Sequence, residues 1–221
     1  MQKFATPTPV TTVLDIPAGR IRFIAADRAD TTVEILAADA SKGRDVKAAE
    51  RTTAEYADGV LRIAAAPAKN RILGNSGSVE ITVQLPAGSR IEAKAASAEF
   101  RGVGRLGEVT YEAAHGTVKL DETAGARLTL QAGDITVGRL AGNAAISTQK
   151  GDLHITEATG GDLELSTLSG DVNVGAARGV SASLDAGTTY GRIHNTLKNS
   201  GAAGLTIRAT TAHGDITARS L

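Results

Sequence analysis

A short pattern, Gly-Asp-apolar-x-apolar, recurs through the second half of the chain and restricts the folds that it can adopt. The glycines that open its copies, at spacings of 17 to 23 residues, are Gly116, Gly133, Gly151, Gly170, Gly191 and Gly214. A weaker first copy begins at Ala98. Periods of this length are typical of arrays of one supersecondary unit, in which no unit buries its apolar face alone. The sequence therefore predicts a stack of similar β-units.

Apolar and polar residues alternate after each opening glycine, as expected of a strand with one buried face. The first apolar position predicts an inward column of Phe100, Val118, Ile135, Leu153, Val172, Ile193 and Ile216. A partner column lies two residues further on, at Leu120, Val137, Ile155, Val174, Asn195 and Ala218. A second strand in each copy adds further apolar pairs, such as Leu128 and Leu130. This arrangement predicts an all-β, single-stranded, right-handed parallel β-helix or β-solenoid of about seven short coils.

Antiparallel hairpins folded into a β-sandwich are the alternative architecture, because each copy also has two strands separated by turn residues. We favour the solenoid because equivalent positions repeat by whole copies, as stacking of like on like requires. Stacked coils rise by about 4.8 Å each, so about seven copies form a rod roughly 30 Å long.

The first 95 residues lack the repeat and are predicted to form an irregular β-rich cap on the array of residues 96–221, in one continuous domain. Residues 40–51 have helical character with Asp45 as a candidate N-cap, although so short a stretch can equally form a loop. Other predicted features are strands at 12–16, 20–24, 32–36 and 78–85, turns at 17–19 and 86–88, a hairpin joining 52–56 to 60–64, and a basic loop at 67–77.

The composition narrows the functional classes. Lys and Arg number 24, as do Asp and Glu, so the formal net charge is zero. This balance argues against nucleic-acid binding, which depends on clustered cationic side chains that neutralise phosphates. The absence of cysteine excludes disulfides, thiolate catalysis and zinc–thiolate sites.

No apolar run of about 18 residues occurs, so no membrane-spanning segment is predicted. The residues after Met1 also contain no apolar core of signal-peptide length. If Met1 is the natural start, the protein is expected in the cytoplasm. A cell-surface location is the alternative if a signal has been removed.

Three stretches carry a resemblance to a known family. They are Ile-Pro-Ala-Gly-Arg-Ile-Arg at 16–22, Val-Gln-Leu-Pro-Ala-Gly at 83–88 and Ser-Gly-Asp-Val-Asn-Val at 169–174. From about Val13 onward the chain resembles the bacterial putative-adhesin family of β-strand-repeat domains, whose function is unknown. The resemblance implies a β-helix-like scaffold without an established catalytic site, found in some relatives linked to cell-envelope stress systems.

Aspartates follow the opening glycine in several copies and are predicted to stack. Asp134, Asp152 and Asp171 would lie about 4.8 Å apart, where their charges repel unless a cation or hydrogen-bond donors intervene. A calcium or magnesium site at these three residues is the weaker interpretation. The favoured one is that each carboxylate accepts backbone N–H groups in its turn, because Thr117 and Arg192 interrupt the column. No cofactor is expected.

The side chains between the inward positions form an outward column, which we interpret as an interaction face. Its members are Lys119, Thr136, His154, Asn173, His194 and Thr217. The histidines lack the close spacing of a metal motif on one element, so they are interpreted as exposed polar side chains.

Three functions fit this pattern, and a non-catalytic scaffold for protein–protein interaction or self-assembly fits best. An exported surface adhesin that binds envelope polymers or glycans is the alternative. A carbohydrate-active enzyme comes third, because the chain has no Trp and only three Tyr to serve as platforms for sugar rings.

The end of the array is the predicted contact for a partner. Ile216 and Leu221 belong to the last copy, which predicts that they lie at an open parallel edge. A protein partner or a second copy would bind there by strand addition, unless the insertion at 196–204 covers the edge.

Overall fold

The computed structural model describes residues 1–65 and 77–221, and it shows the repeats stacked as parallel strands. Within these residues the chain forms one short helix, α1 (Gly43–Arg51), and seventeen strands. The strands are β1 (Gln2–Ala5), β2 (Thr11–Ala26), β3 (Asp30–Ala37), β4 (Thr52–Ala57), β5 (Val60–Ala65), β6 (Val79–Pro86), β7 (Arg90–His115), β8 (Val118–Ala132), β9 (Ile135–Leu140), β10 (Ala144–Lys150), β11 (Leu153–Ala158), β12 (Gly161–Ser169), β13 (Val172–Ala176), β14 (Ala182–Tyr190), β15 (Ile193–Thr196), β16 (Leu205–His213) and β17 (Ile216–Ser220).

The repeats contribute strands to two rows, and every pairing between repeats is parallel. The first row runs from the start of β8 through β9, β11, β13 and β17 to β15. The second row runs from the end of β8 through β10, β12 and β16 to β14. Stacking of like positions on like positions is the pairing of a β-solenoid, not of an antiparallel sandwich.

The order of the repeats in space differs from their order in the chain. β16 lies between β12 and β14, and β17 lies between β13 and β15, so the last repeat is inserted before the one that precedes it. The prediction that the last repeat forms the open edge is therefore wrong, and Ile216 is only 1% exposed.

Polarity at the inward positions explains this order. The last repeat presents Leu205, Ile207, Ile216 and Ala218 inward, and all four are buried. The preceding repeat carries Asn195 at the corresponding inward position, where it is exposed. An amide buried between two coils would lose its water without a guaranteed hydrogen-bond partner, so the repeat with Asn195 is better placed at the end of the stack.

The predicted inward columns are otherwise confirmed. Their members are buried, with the exception of Ile193, which is 47% exposed because its strand ends the first row, and Asn195. In the core near the first repeats, Phe23, Phe100 and Tyr111 form a chain of aromatic contacts with centroid separations of 5.5 and 4.7 Å. The Tyr111 hydroxyl donates to the Ala98 carbonyl at 3.2 Å.

A threonine three residues before the opening glycine of a repeat ties neighbouring coils together. Thr167 donates its hydroxyl to the Gly151 carbonyl at 3.1 Å, and Thr211 donates to the Gly170 carbonyl at 3.0 Å. Thr148 and Thr188 make the equivalent bonds. Sequence reasoning missed this role, although the recurring Thr-x-x-Gly spacing was visible.

The first part of the chain joins the stack through β2. This strand pairs in parallel with β5, β6 and β7. The sequence predicted two strands and a turn here, but the backbone bends at Gly19, with φ of +144°, without leaving the ladder. The predicted domain boundary near residue 95 stays a prediction.

Antiparallel strands complete the N-terminal region. β3 pairs with β1 and β6, and β4 pairs with β5 in the predicted hairpin, whose turn places Asp58 and Gly59 at positive φ. The predicted helix is confirmed over Gly43–Arg51, but its N-cap is Lys42. Asp45 instead lies buried in the first turn and accepts the N–H of Ser78 at 3.0 Å. The predicted loop at 67–77 lies outside the described residues except for Gly77.

Candidate binding face

The six residues of the predicted interaction face lie side by side on the first row of strands. Their spatial order is Lys119, Thr136, His154, Asn173, Thr217 and His194, each the register partner of the next. We call this set the polar column. Its side chains are exposed or half-buried because they point away from the core between the buried inward positions.

A cavity of about 120 Å³ opens in the middle of the polar column. Its polar lining comes from His154, Asn173 and Thr217, together with Thr156 and Arg219 two residues further along their strands. Imidazole, amide, hydroxyl and guanidinium groups can all donate hydrogen bonds to a hydroxyl or carboxylate oxygen. The arrangement is therefore suited to binding a polar group of a ligand.

Gly175 lines this cavity. It lies between Thr156 and Arg219 in the stack, next to an irregularity in the pairing of β11 with β13. A Cβ atom at this position would come within 2.2 Å of the Thr156 carbonyl oxygen, so a side chain here requires the backbone to move. Sequence reasoning missed Thr156, Gly175 and Arg219, because the register shift that brings them together leaves no mark in the repeat pattern.

Four aspartates form a second column beside the polar column. In each of three pairs, the Oδ1 atom accepts the backbone N–H of the next aspartate: Asp134 from Asp152 at 2.9 Å, Asp152 from Asp171 at 2.8 Å, and Asp171 from Asp215 at 2.7 Å. We call this set the aspartate column. The carboxylates do accept backbone N–H groups, but from the neighbouring coil and not from their own turn. Each bond therefore links two coils.

Arg192 ends the aspartate column. Its backbone N–H donates to Asp215 Oδ1 at 2.8 Å, and its Nη2 donates to Asp215 Oδ2 at 2.7 Å. Hydrogen bonding to the guanidinium lowers the pKa of the Asp215 carboxyl, and the same contact raises the pKa of Arg192. The column thus finishes in an ion pair at the surface.

The stacked carboxylates do not assemble a metal centre of the usual kind. Among residues 1–65 and 77–221, no group of three or more His, Asp or Glu side chains is arranged to hold a metal ion. In each of Asp134, Asp152 and Asp171, one carboxylate oxygen already accepts a backbone N–H. The weaker sequence interpretation, a calcium or magnesium site at these residues, therefore gains no geometric support.

These features define a class: a parallel β-solenoid with a column of polar side chains on one row of strands. The chain belongs to the DUF4097 family, described as Toastrack, whose model matches residues 13–220. This confirms the resemblance to bacterial putative-adhesin domains of β-strand repeats.

No helix in the described part of the chain has the length and apolar character needed to cross a membrane.

Solved structures resemble the chain over almost its whole length. A putative adhesin from Parabacteroides distasonis matches with 16% identity and a TM-score of 0.52, covering 98% of this chain and 95% of the other, and this likeness supports the fold. A putative adhesin from Bacteroides fragilis matches with 11% identity and a TM-score of 0.44, at 98% and 95% coverage. A putative cell adhesion protein from Clostridium sporogenes matches with 13% identity and a TM-score of 0.39, at 100% and 98% coverage. The comparison with curated proteins gave no match.

Proposed function

We propose that the chain is a non-catalytic, adhesin-like β-solenoid that binds a protein partner through its polar column. The observation that carries the proposal is the stacking of six polar side chains in register around a donor-lined cavity. Strands hold these groups at a regular spacing of about 4.8 Å, so a partner that presents polar groups at a similar period meets several of them at once. A rigid scaffold also lowers the entropy lost when the contact forms.

The environment of the aspartates supports binding over catalysis. General acid–base chemistry uses carboxyl groups that are free to take and release a proton near a reacting atom. In the aspartate column the Oδ1 atoms of Asp134, Asp152 and Asp171 instead accept backbone N–H groups between coils. These carboxylates are assigned a structural role, which favours an interaction protein over the carbohydrate-active enzyme.

The second candidate is an exported adhesin that binds envelope polymers or glycans. The cavity at Gly175 favours it, because its hydrogen-bond donors match sugar hydroxyl and carboxylate groups. The names of the similar solved structures, putative adhesins and a putative cell adhesion protein, point in the same direction.

Several finer expectations belong to this proposal. They are a right-handed winding, about seven coils, a β-rich cap over residues 1–95, and a link to cell-envelope stress. The two candidate functions differ in location, cytoplasmic for the scaffold and surface for the adhesin. Separate capture from cytosolic and envelope fractions distinguishes them.

A crosslinked pull-down with paired variants tests the proposal. The tagged chain is compared with Asn173→Arg/Thr217→Arg, which alters two register partners in the polar column. The matched control is Ser147→Arg/Ser166→Arg, two register partners that are also half-buried but lie on the second row. Circular dichroism confirms that all three chains are folded.

We expect one stoichiometric partner to be recovered with the unaltered chain and the control, and at least about tenfold less of it with the polar-column variant. Recovery of envelope polymers in the same pattern assigns the adhesin function. Equal recovery with all three chains contradicts the role of the polar column. Cleavage of any glycan by the pure protein contradicts a non-catalytic role.

A further inference from the structure

The strands β14 and β15 form one end of the stack. Within the described residues, β14 pairs only with β16 and β15 pairs only with β17. Each therefore presents one unpaired edge. Both edges face the same direction along the stack, because β14 and β15 are the last strands of the two rows. We call this surface the open end.

Apolar side chains are exposed at the open end. Tyr190 is 68% exposed and Ile193 is 47% exposed, although Ile193 occupies an inward position of its coil. Leu184 and Ala186, also inward, are only half-buried. In the interior of the stack the register partners of Leu184 and Ile193, Ile207 and Ile216, are at most 1% exposed. One more coil would bury the residues of the open end in the same way.

The opposite end of the stack exposes less apolar surface on its edge strands. There the outermost strands are β1 and β4, which pair antiparallel with β3 and β5. Phe4 and Tyr56 pack against each other with ring centroids 5.8 Å apart, and both are half-buried. β1 and β4 also pair on one side only within the described residues, but their large apolar side chains are half-buried, whereas Tyr190 and Ile193 at the open end are exposed.

The segment at 197–204 covers only the beginning of β14. Ala182 donates its N–H to the Lys198 carbonyl at 3.0 Å, and Ser200 donates its N–H to Ser181 Oγ at 3.1 Å. The Ser181 carbonyl faces the other way and accepts the N–H of Leu205. Backbone groups of successive residues alternate sides in a strand, so the amides of Leu184, Ala186 and Thr188 point outward from the stack.

We propose that two copies of the chain pair head to head through their open ends, with β14 against β14 and β15 against β15 in antiparallel register. A two-fold axis perpendicular to the stack aligns both pairs of edges at once, as an isologous interface requires. A single extended peptide would cover one edge and leave the other bare, whereas a second copy carries two edges at the matching separation. This inference deepens the proposed scaffold function by naming the partner at one surface.

The dimensions of the open end are sufficient for a stable dimer. β14 has nine residues, which gives the end a length of about 30 Å, and two sheets about 10 Å apart with their outer side chains make it roughly 20 Å wide. Pairing two such ends buries about 1,200 Å² in total, which is the lower limit of specific interfaces.

The charges at the open end are compatible with self-pairing. Asp185 lies on β14, and Arg192 lies in the turn between β14 and β15. Each is already paired within its own copy, Asp185 with Arg208 at 3.6 Å and Arg192 with Asp215 at 2.7 Å. Two identical ends therefore meet without net like-charge repulsion.

Light scattering coupled to size-exclusion chromatography tests the proposal over a range of protein concentrations. The unaltered 221-residue chain is expected at about twice its mass of 22.5 kDa. Ile193→Lys places a charge in the centre of the interface and is expected to return the mass to that of one chain. Ala186→Pro is a second variant, which removes an outward amide without breaking a bond within the stack.

Leu168→Lys is the matched control. Leu168 is also a large exposed apolar residue, at 59%, but it lies on β12, which is separated from the open end by β16. This variant is expected to remain dimeric. Thermal unfolding confirms that the variants are folded.

Three results would overturn the inference: a single-chain mass for the unaltered protein at every concentration, a dimer that survives both edge substitutions, or growth beyond the dimer, which indicates head-to-tail stacking. The polar column is intact in the edge variants. If the unaltered chain is a monomer that binds the pull-down partner, the dimer alone is refuted. If the unaltered chain is a dimer that binds no partner, the proposed function alone is refuted.

Discussion

Arg192 contacts Asp215 across neighbouring coils, with its Nη2 atom 2.7 Å from the carboxylate Oδ2. On the other side of Asp215 lies Asp171, whose Oδ1 accepts the N–H of Asp215 at 2.7 Å. Asp215, from the last repeat, thus lies between Asp171 and Arg192, which belong to the two repeats before it. This contact shows that the last two repeats of the chain have exchanged places in the stack.

Engineered disulfides should report that exchange. His194 and Thr217 are register partners on adjacent parallel strands, so cysteines at both positions are within the Cα separation that a disulfide tolerates. We expect His194→Cys/Thr217→Cys to oxidise to a single cross-linked species, measured by the mobility of the unreduced chain and by peptide mass. The background is clean because the natural sequence has no cysteine.

The matched control is His194→Cys/Asn173→Cys. These positions are neighbours in the order of the chain, but Thr217 lies between them in the structure. Their Cα atoms are about 10 Å apart, two strand spacings, which exceeds the reach of a disulfide. Efficient cross-linking of this pair and not of the first would show that the repeats stack in chain order.

Replacing Thr167 by valine tests the threonine bonds between coils. Thr167 is 4% exposed, and its hydroxyl donates to the Gly151 carbonyl. Valine keeps the shape but loses the donor, so we expect the free energy of unfolding to fall by about 1 kcal/mol, measured in urea. Thr210→Val, on the exposed outward side of β16, is the control and should change stability by less than about 0.5 kcal/mol. An equal loss of unfolding free energy in the two variants would contradict the role assigned to Thr167.

Gly170 illustrates why the turns between rows require glycine. Its φ is +153°, and a Cβ atom would lie 2.0 Å from the Gly151 carbonyl oxygen. We expect Gly170→Ala to destabilise the fold by at least about 2 kcal/mol, or to prevent folding, because both the backbone conformation and the stacking distance must change. At Gly43, the first residue of α1, an added Cβ meets nothing within 4 Å. Gly43→Ala should therefore be neutral or stabilising, and a comparable loss there would contradict this account.

Asp30 should remain ionised to unusually low pH. The Arg28 side chain donates to Asp30 Oδ1 at 2.8 Å, and with Lys3 it lowers the pKa of the Asp30 carboxyl to about 2. Because the pKa is lower in the folded state than in the unfolded state, the stabilisation is complete above the ordinary pKa of Asp and is lost as the pH falls toward 2. Arg28→Gln should raise the titration midpoint of Asp30, measured by NMR of its carboxyl carbon. Asp39, whose pKa of about 2 depends first on Ser41, is the internal control and should not move.

Local patterns predicted the repeating unit well. The alternation around Val118, Ile135 and Leu153 identified the buried face. Successive side chains of a strand point to opposite faces, and only one face of each row is buried. The same alternation identified the outward column of polar residues. The cavity in that column was not predictable, since it lies beside an irregularity in the pairing of β11 with β13, and such an irregularity appears only when two coils are stacked.

The hydrogen bonds that link neighbouring coils could not be predicted from local sequence patterns. The aspartates were expected to accept N–H groups in their own turns, and instead they accept those of the next coil. A turn pattern cannot distinguish the two arrangements, because both place a carboxylate oxygen beside an amide. The choice depends on the distance between coils.

By itself the sequence determined the strand period and most of the buried positions, and it favoured parallel stacking of the repeats, because these follow from residue spacing and from the transfer of apolar side chains out of water. Only the tertiary structure decided which repeat lies at the end. Every repeat presents nearly the same edge, so pairing alone does not distinguish the possible orders, and the outcome depends on small differences such as Asn195 against Ala218 at one inward position. Such differences act only when coils are in contact.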